Sequence, residues 1–302
     1  MFKIKVPATT ANIGAGFDCL GMALSLYNEI TVKESDRFSI EIKGTGAAGG
    51  VFTTKDNLIY QVIASFYEEI GQKVPHLAIT QDDCIPMTRG LGSSSACIVA
   101  GLFAANELTG RPMTRDKLAQ MACQIEGHPD NVAPAVYGGL IVAVLEGEAQ
   151  ILHHVKITPP SELSYVAFIP NFQLSTAKAR RILPLAYPRA DAVFNISRAS
   201  LFIASMMNGD FSNFHVALND RIHQPYRGIL IPGFDAVFEA AETAGAHGVF
   251  MSGAGPTIIA ITTRNQEETF AQEMQNALKD LDNDWETIIL HADLEGATVC
   301  AM

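Results

Sequence analysis

The sequence predicts a mixed α and β protein of two lobes with a ligand-binding cleft between them. In the first half of the chain, several short segments alternate apolar and polar residues, as half-buried antiparallel strands do. Other segments carry apolar residues at helical spacing. The dipeptide Pro159-Pro160 is the clearest break in the chain, and a second series of strands and helices follows it. We therefore predict an N-terminal lobe of residues 1–159 and a C-terminal lobe of residues 160–302.

The predicted N-terminal lobe mixes strands with three helices. The strands are predicted over residues 2–6, 28–34, 37–43, 76–81 and 139–145, with a possible partner strand over 150–158. The helices are predicted over 57–70, from the end of the segment 86–96 to about Leu108, and over 114–126. Gly71 suits the C-cap of the first helix, and Thr114 suits the N-cap of the third.

The predicted C-terminal lobe forms a second α+β layer. Its elements, in chain order, are a strand over 164–170, helices near 175–183, 191–208, 210–218 and 234–244, strands over 247–252 and 257–263, a helix over 266–281 and a strand over 285–291. The chain contains no internal repeat and no low-complexity tract. Two lobes are therefore the economical interpretation.

The composition is that of a folded protein with an acidic surface. The chain has 302 residues, 48% hydrophobic and 18% charged, which is enough for one large core or two smaller ones. The formal net charge of -11 disfavours nucleic acid and anionic membranes as partners, because an acidic surface repels phosphate. A nucleotide cofactor remains compatible with this charge if a local pocket of backbone N–H groups binds it.

Cysteine use and the N-terminal residues predict a cytoplasmic protein. The five cysteines are widely spaced and include no C-x-x-C pair, so we expect reduced thiols and neither a disulfide framework nor a zinc site. Residues 1–6 alternate like a strand and lack the apolar region of a signal peptide. No apolar run approaches the roughly 20 residues that a membrane span needs.

The segment 86–96 is the strongest candidate for a phosphate-binding loop. It reads Pro86, Met87, Thr88, Arg89, Gly90, Leu91, Gly92, Ser93, Ser94, Ser95 and Ala96. The glycines allow a close approach to a ligand, and the serines open an apolar helix whose first turn offers free N–H groups and a partial positive charge. The segment is not a P-loop, because no lysine follows its glycines. A flexible linker that leads into a capped helix is the alternative interpretation of the glycines and serines alone.

Three segments of the chain together resemble the GHMP kinases, the superfamily of galactokinase, homoserine kinase, mevalonate kinase and phosphomevalonate kinase. Residues 86–96 match its loop pattern P-x-x-x-G-L-G-S-S-x-A at every fixed position. Residues 7–18, Pro-Ala-Thr-Thr-Ala-Asn-Ile-Gly-Ala-Gly-Phe-Asp, resemble its first motif, and residues 252–257, Ser-Gly-Ala-Gly-Pro-Thr, resemble its third. Gly14-Ala15-Gly16 is not a dinucleotide fingerprint, because Cys19 stands where the third glycine would be.

Further segments resemble the homoserine kinase branch of this superfamily. They are residues 126–134, which read Glu-Gly-His-Pro-Asp-Asn-Val-Ala-Pro, residues 175–184 with Arg180, and residues 223–227, which read His-Gln-Pro-Tyr-Arg. Taken alone, the polar residues of these segments would be a solvated loop and surface ion pairs of small value. Homoserine, however, is a zwitterion, and its carboxylate suits the bidentate fork of an arginine while its ammonium suits carboxylates.

The resemblance implies a reaction and a set of site residues. The reaction is transfer of the γ-phosphoryl group of ATP to the side-chain hydroxyl of L-homoserine, a step of threonine biosynthesis, with Mg²⁺ as the metal cofactor. The implied roles are phosphate binding by the N–H groups of 89–96, metal ligation by Ser94 and Glu126, a place near the nucleoside for Asn57, and an amino-acid pocket of Asn12, Asp18, His128, Asp130, Arg180, Arg227 and Gly253. Asp130 is the candidate catalytic base, if there is one. Arg89 and Arg181 occupy variable positions and are predicted to be surface charges.

The resemblance also implies an N-terminal lobe like domain 2 of ribosomal protein S5, a ferredoxin-like C-terminal lobe, and a homodimer.

One alternative is another kinase of the superfamily, acting on mevalonate, a sugar or shikimate, but such a substrate would not need the His128, Asp130, Arg180 and Arg227 set. A second alternative is a ligand sensor without turnover, which would be expected to lack Ser94 or Glu126.

Overall fold

The computed structural model describes residues 1–302, except for the side chain of Ala48. The strands are β1 (Phe2–Ala11), β2 (Leu20–Glu34), β3 (Ser39–Gly44), β4 (Leu77–Asp83), β5 (Leu140–Glu146), β6 (Ile151–Ile157), β7 (Leu163–Ile169), β8 (Gly248–Met251), β9 (Ile258–Thr263), β10 (Glu286–Leu290) and β11 (Thr298–Ala301). The helices are α1 (Thr45–Ala48), α2 (Leu58–Glu69), α3 (Ser93–Leu108), α4 (Arg115–Glu126), α5 (Pro129–Tyr137), α6 (Thr176–Arg181), α7 (Arg189–Asn208), α8 (Phe214–Ala217), α9 (Gln224–Gly228), α10 (Phe234–Thr243) and α11 (Glu267–Leu278). A short 3-10 helix covers Phe211–Asn213. None of the described helices is long and apolar enough to cross a membrane.

The first sheet has seven strands, with β1 and β2 at its centre. β1 pairs antiparallel with β2 and β11, and β2 pairs antiparallel with β4 and β5. β6 extends the sheet from β5, whereas β3 runs parallel to β4. β2 is longer than the strand predicted over 28–34, because its first residues are mostly apolar and buried, so they show no alternation.

The second sheet has the strand order β10-β7-β9-β8, and its paired strands are antiparallel. β7 is buried along its whole length, and its side chains divide between two cores. Tyr165 and Ala167 belong to the main core, which also includes residues of the first sheet and of α2, α3 and α4. Val166 and Phe168 belong to a second core with residues of α10 and α11. The main core therefore joins the two sheets into one packed unit.

Several elements differ from the sequence prediction in kind, and the short helices α1 and α9 are among those not predicted. Residues 129–137 form helix α5, which begins with Pro129 at its first turn, although the sequence pattern predicts no helix there. The predicted helix over 210–218 is a 3-10 turn followed by the four-residue α8. The last strand, β11, is not predicted either, and it pairs with β1 in the first sheet, with Phe2 opposite Ala301. Four residues at a chain end carry too short a pattern to identify.

Candidate active site

A cleft of about 420 Å³ lies where three turns of the chain meet. The turns are residues 12–18 after β1, residues 87–95 between β4 and α3, and residues 253–255 between β8 and β9. Each turn includes positions with positive φ, such as Asp18 (55°), Gly90 (81°) and Gly253 (58°). These are the three motifs that carried the family resemblance, so segments far apart in the sequence form one site.

The segment 86–96 forms the turn that leads from β4 into α3. Gly92 is the N-cap of α3, with φ of 71° and ψ of 22°. A Cβ atom at this position would lie 1.9 Å from Thr9 Oγ1, so only glycine fits. Gly92 and the three serines of 93–95 line the cleft. The first N–H groups of a helix have no partner within it, so the positive end of the α3 dipole lies at the cleft.

The remaining residues of this segment have different surroundings. Met87, Thr88, Arg89 and Gly90 line the cleft, whereas Leu91 and Ala96 pack in the main core and Pro86 is half-buried. Arg89 is not the free surface charge that its variable position predicts. Its Nε donates to the carbonyl oxygen of Pro170 at 2.9 Å, and its Nη2 donates to that of Asn171 at 2.9 Å. Arg89 therefore ties the loop to the end of β7.

Glu126, His128 and Asp130 lie together where α4 ends and α5 begins, and all three line the cleft. His128 Nδ1 is 2.8 Å from Asp130 Oδ1, and His128 Nε2 is 3.9 Å from Glu126 Oε1. Burial alone would lower the pKa of His128, but the hydrogen bond to Asp130 and the charges of Asp130 and Glu126 outweigh it and raise the pKa above its ordinary value. The imidazole therefore makes one hydrogen bond, to Asp130, and feels the charge of Glu126 at longer range.

Asp18 and Arg180 both line the cleft and form a bidentate ion pair. Arg180 Nη2 donates to Asp18 Oδ1 at 2.8 Å, and Arg180 Nη1 donates to Asp18 Oδ2 at 3.1 Å. About a third of each side chain is exposed. Asn12 holds the same turn, because its Oδ1 accepts from the Asp18 N–H at 2.9 Å and its Nδ2 donates to the Gly253 oxygen at 2.6 Å. One carboxylate and one guanidinium thus lie side by side at the cleft.

Arg227 lies beneath this pair and is 1% exposed. Its Nε donates to the Ala179 oxygen at 3.2 Å, and its Nη1 donates to the Gly253 oxygen at 3.1 Å. Burial, together with the nearby charge of Arg180, lowers the pKa of Arg227 to about 10. The side chain therefore braces the backbone behind the cleft. To contact a substrate carboxylate, as the sequence suggests, it would have to leave these partners.

Asn57 lies at the apolar end of the cleft, which Val51, Phe52, Leu58, Ile59 and Met87 also line. The Asn57 Oδ1 accepts from the N–H groups of Ile59 and Tyr60, at 2.9 and 3.3 Å. Its Nδ2 donates to the Phe52 oxygen and to Gln81 Oε1, both at 3.0 Å. A carboxamide has two donors and two acceptor lone pairs, so these four bonds fill its capacity. Asn57 therefore acts as the N-cap of α2 and holds the wall of the cleft.

A buried polar network lies behind Asn57, and none of the sequence motifs includes it. Gln81 Nε2 donates to Asp83 Oδ2 at 2.7 Å, and Asn28 Nδ2 donates to Asp83 Oδ1 at 2.8 Å. Asp83 is 1% exposed, and burial raises its pKa from 3.8 to about 6. The sequence does contain a signal, because Gln81 and Asp83 alternate in register with the buried Leu77 and Ile79. An acid on the inward face of a strand points to a satisfied polar network.

The oxygen donors beside the phosphate loop fit a magnesium ion. Ser94 and Glu126 line the same cleft, and Ser95 Oγ donates to Glu126 Oε1 at 3.1 Å. Mg²⁺ typically takes one or two carboxylates from a protein and completes its shell with phosphate oxygens and water. The donor set therefore has the chemistry that a magnesium–nucleotide complex needs.

Comparisons with known proteins agree on the family of the chain. The model of the GHMP kinases N terminal domain matches residues 57–139, and the model of the GHMP kinases C terminal domain matches residues 202–280. The chain is 44% identical over 301 residues to a homoserine kinase of Caldicellulosiruptor bescii, covering 99% of this chain and 97% of the relative. It is 46% identical over 301 residues to a homoserine kinase of Synechocystis, covering 99% of this chain and 98% of the relative.

A solved structure supports the same relationship in three dimensions. The fold superposes on the crystal structure of a homoserine kinase from Cytophaga hutchinsonii with a TM-score of 0.87 and 31% sequence identity. The match covers 99% of this chain and 97% of that one. The chain therefore shares its fold with this structure, and its similarity with the curated relatives extends over nearly the whole length of each protein.

Proposed function

The chain belongs to the GHMP kinase family and, within it, to the homoserine kinases, and we propose that its cleft holds ATP and L-homoserine side by side for phosphoryl transfer. In this reaction the side-chain hydroxyl oxygen of L-homoserine forms a bond to the γ-phosphorus of ATP. The bond from that phosphorus to the β,γ-bridging oxygen breaks, and the hydroxyl proton is released. The products are O-phospho-L-homoserine and ADP. The similarity to homoserine kinases in sequence and in structure confirms the fold and the activity that the motifs predict.

We assign the phosphates of ATP to the loop 86–96 and the base to the apolar end of the cleft. Phosphoryl transfer depends mainly on positioning and on neutralising charge, and the N-terminal end of α3 supplies both without a lysine. Ser94 and Glu126 would hold Mg²⁺, which neutralises phosphate charge when it is bound. Asn57 would shape the base site by holding the loop from Phe52, since its own hydrogen bonds are filled within the protein.

The Asp18–Arg180 pair is the observation that carries the choice of an amino-acid substrate. Its carboxylate and guanidinium are the two charges that the ammonium and carboxylate of a zwitterion require. In our proposal, homoserine inserts between them. Its ammonium then pairs with Asp18 and its carboxylate pairs with Arg180, so two ion pairs replace one. Asn12 and Gly253 hold the turn around the amino-acid head. Arg227 supports the pocket from behind through the Gly253 oxygen.

We assign the acceptor hydroxyl to the side of the cleft that carries Asp130. Asp130 Oδ1 is held by His128, so its second oxygen is available to accept the hydroxyl proton. In spite of burial, the hydrogen bond to Asp130 raises the pKa of His128, so the imidazole is held as a donor to that carboxyl group. Asp130 would therefore act as the catalytic base, with His128 as the residue that orients it.

The test is ADP release by the purified protein with ATP and a panel of alcohols. The panel contains L-homoserine, L-serine, mevalonate, shikimate and galactose, and the phosphorylated product is identified by mass spectrometry. We expect turnover with L-homoserine and a product heavier by one phosphoryl group. Preferred turnover of a substrate without an amino-acid head would refute the assignment of the Asp18–Arg180 pair. Binding of L-homoserine without ADP release would indicate a sensor.

A homodimer is the assembly that we propose, with α7 at its interface. The outward face of α7 carries Val193, Ile196, Ser200, Ala204 and Met207 at heptad-like spacing. Val193, Ile196 and Met207 are 59%, 67% and 67% exposed. Two antiparallel copies related by a two-fold axis at Ser200 would pair Val193 with Met207 and Ile196 with Ala204. The same axis would bring Arg189 near Asp210, and these opposite charges would favour the antiparallel arrangement.

We also propose that residues 1–159 and 160–302 are the two functional lobes and that the protein works in the cytoplasm. The lobes are supported by their separate sheets, although β11 returns to the first one. The cytoplasm is supported by the five free cysteines. Fractionation of cells that express the tagged full chain would test the compartment.

A further inference from the structure

We propose that Asp83 is a positioning residue for ATP: its carboxylate is the double acceptor that fixes Gln81 and, through Gln81 and Asn57, the wall of the nucleoside end of the cleft. This inference rests on the proposed function, because it takes ATP to occupy that end. It adds a role for a side chain that belongs to none of the sequence motifs. The direction of each hydrogen bond in the network supports this role.

Backbone N–H groups fix the orientation of the amides at both ends of the network. Asn28 Oδ1 accepts from the N–H groups of Cys84 and Ile85, at 2.9 and 2.8 Å, so its NH₂ group must point to Asp83. Asn57 Oδ1 accepts from two N–H groups of α2, so its NH₂ group must point to Gln81 Oε1. Gln81 then has only its own NH₂ group to offer to Asp83. The direction of every bond in the chain of amides is therefore set.

Two donors consequently meet at position 83, one from Asn28 and one from Gln81. A carboxylate accepts both, because it has acceptors on each oxygen. An asparagine there would place its NH₂ group against one of these donors. Protonation of Asp83 would also weaken these two bonds, because the neutral acid is a poorer acceptor than a carboxylate and its new O–H needs an acceptor of its own. Position 83 thus requires an ionised acid, although burial disfavours one.

The network is attached to the parts of the cleft that would touch the nucleoside. Asn57 Nδ2 also donates to the Phe52 oxygen, and Phe52 and Asn57 both line the cleft. On the other side, Thr45 Oγ1 donates to the backbone oxygen of Asp83 at 3.0 Å, which anchors α1. A Cβ atom on Gly46 would lie 2.1 Å from Asp83 Oδ2, so α1 packs directly on the carboxylate. Asp83 also borders the cleft but is only 1% exposed, so a change there should reach the base site mainly through Gln81 and Asn57.

The surroundings of Asp83 predict a pH dependence of ATP binding. The titratable neighbours are Asp82 on the same strand, Glu29 opposite Asp82, Cys84 after the strand, and Cys97 on α3. Burial raises the pKa of Cys97 to about 12, so that thiol stays neutral. Since the pKa of Asp83 is raised to about 6, the carboxylate is ionised at pH values well above 6 and protonates as the pH falls through 6. The KM for ATP should then rise on the acid side.

The test is an exchange of donor and acceptor between positions 28 and 83. Asp83→Asn creates a donor–donor clash, and Asn28→Asp creates an acceptor–acceptor clash. In the double variant, the new acid at position 28 accepts from the two backbone N–H groups and from the new amide at position 83. The oxygen of that amide accepts from Gln81, so all directions agree again.

We expect each single variant to raise the KM for ATP about tenfold, the factor for one hydrogen bond of ~1.4 kcal/mol. The double variant should return close to the KM of the parent protein. The kcat and the KM for L-homoserine should change little in all three variants.

The matched control is Asp82→Asn, which removes the neighbouring acid from the opposite face of β4 and should leave the KM for ATP unchanged. If the single variants fold poorly, the KM profile of the parent protein between about pH 5 and 8, on either side of the Asp83 pKa, serves as the second test. Asp82→Asn should keep the rise on the acid side and move it to lower pH, because, in addition to burial, the charge of Asp82 contributes to the raised pKa of Asp83. A folded double variant with the raised KM of Asp83→Asn would overturn the proposal, as would a flat profile of the parent protein. Because every effect is measured against the parent activity, an inactive parent would instead refute the proposed function.

Discussion

In the proposed function, Asp18 and Arg180 are the single pair of residues that sets the substrate class. Each side chain alone is a common surface charge, and an exposed ion pair contributes only about 0–1 kcal/mol to stability. Their value lies in geometry, because the two bonds at 2.8 and 3.1 Å hold both charges at the cleft. The fork of Arg180 is the part that a lysine cannot reproduce.

The first prediction is for Arg180→Lys. The charge stays but the bidentate bond is lost, so we expect the KM for L-homoserine to rise at least about tenfold, the factor for ~1.4 kcal/mol. The KM for ATP should change little. Steady-state kinetics with each substrate varied in turn measures both values. Arg181→Lys is the matched control, since Arg181 is the exposed next residue of the same helix; equal effects at the two positions would contradict the prediction.

The second prediction is for Asp130→Asn. Removing a general base typically costs about 10²–10⁴-fold in rate, so we expect kcat to fall by that factor with a little-changed KM for L-homoserine. Asp235→Asn is a suitable control, because Asp235 lies in the first turn of another helix, α10, away from the cleft. If the loss at Asp130 appears mainly in KM, the residue binds substrate and is not the base.

Among the helices and strands, the first turn of α3 depends on local sequence and long-range packing together. Two glycines and three serines predict a turn into a helix, and the structure forms both. The need for glycine at position 92 depends on Thr9, which belongs to the distant strand β1 and lies where a Cβ atom would be. The cleft end of α3 therefore depends on β1 as well as on its own residues.

The third prediction is for Gly92→Ala. The new methyl group would displace Thr9 or the turn, so we expect the affinity for ATP to fall at least about tenfold by isothermal titration calorimetry. Gly110→Ala is the matched control, because Gly110 follows the other end of α3 with φ of 82° but has open space around it. Both variants bear the left-handed backbone penalty, and only Gly92→Ala bears the clash. Equal ATP affinities would show that the turn tolerates a side chain.

In the proposed homodimer the interface is formed by α7, which combines a buried face with an apolar exposed face. Phe202 and Met206 pack in the main core, whereas Ile196 and Met207 face outwards. A helix face of about 14 residues is roughly 21 Å long, which suits the centre of an interface between two copies.

The fourth prediction is for Ile196→Asp. Placing a charge at the centre of an apolar interface should convert a dimer into a monomer, because the charge would lose its water without gaining a partner. Sedimentation velocity over a range of protein concentrations measures this change. Ile229→Asp is the control, since Ile229 is 76% exposed but lies outside α7. A parent protein that is monomeric at every concentration would refute the interface.

The features that depend on neighbouring residues can be predicted from the sequence alone. Glycine positions, helix periodicity and the three motifs identify the phosphate loop, the turns around it and the kinase family, because backbone conformation and close approach are encoded locally. The residues with charges matched to the substrate, Asp18 and Arg180, are identified in the same way. The short β11 and the helix α5 escape prediction because one is too short and the other contains Pro134 in its interior, where a proline argues against a helix.

The partners of each polar side chain emerge only when the chain is folded. The motif around Arg227 predicts a residue of the substrate pocket, but in the folded protein Arg227 is buried and donates to the Gly253 oxygen. Asn57 is predicted to lie near the nucleoside, and in the folded protein it lines the cleft while α2 and Gln81 use its hydrogen bonds. Asp83 acquires its role when β4 pairs with β2 and brings Asn28 close to it. Burial and hydrogen-bond partners come from segments distant in sequence, so no local pattern can specify them.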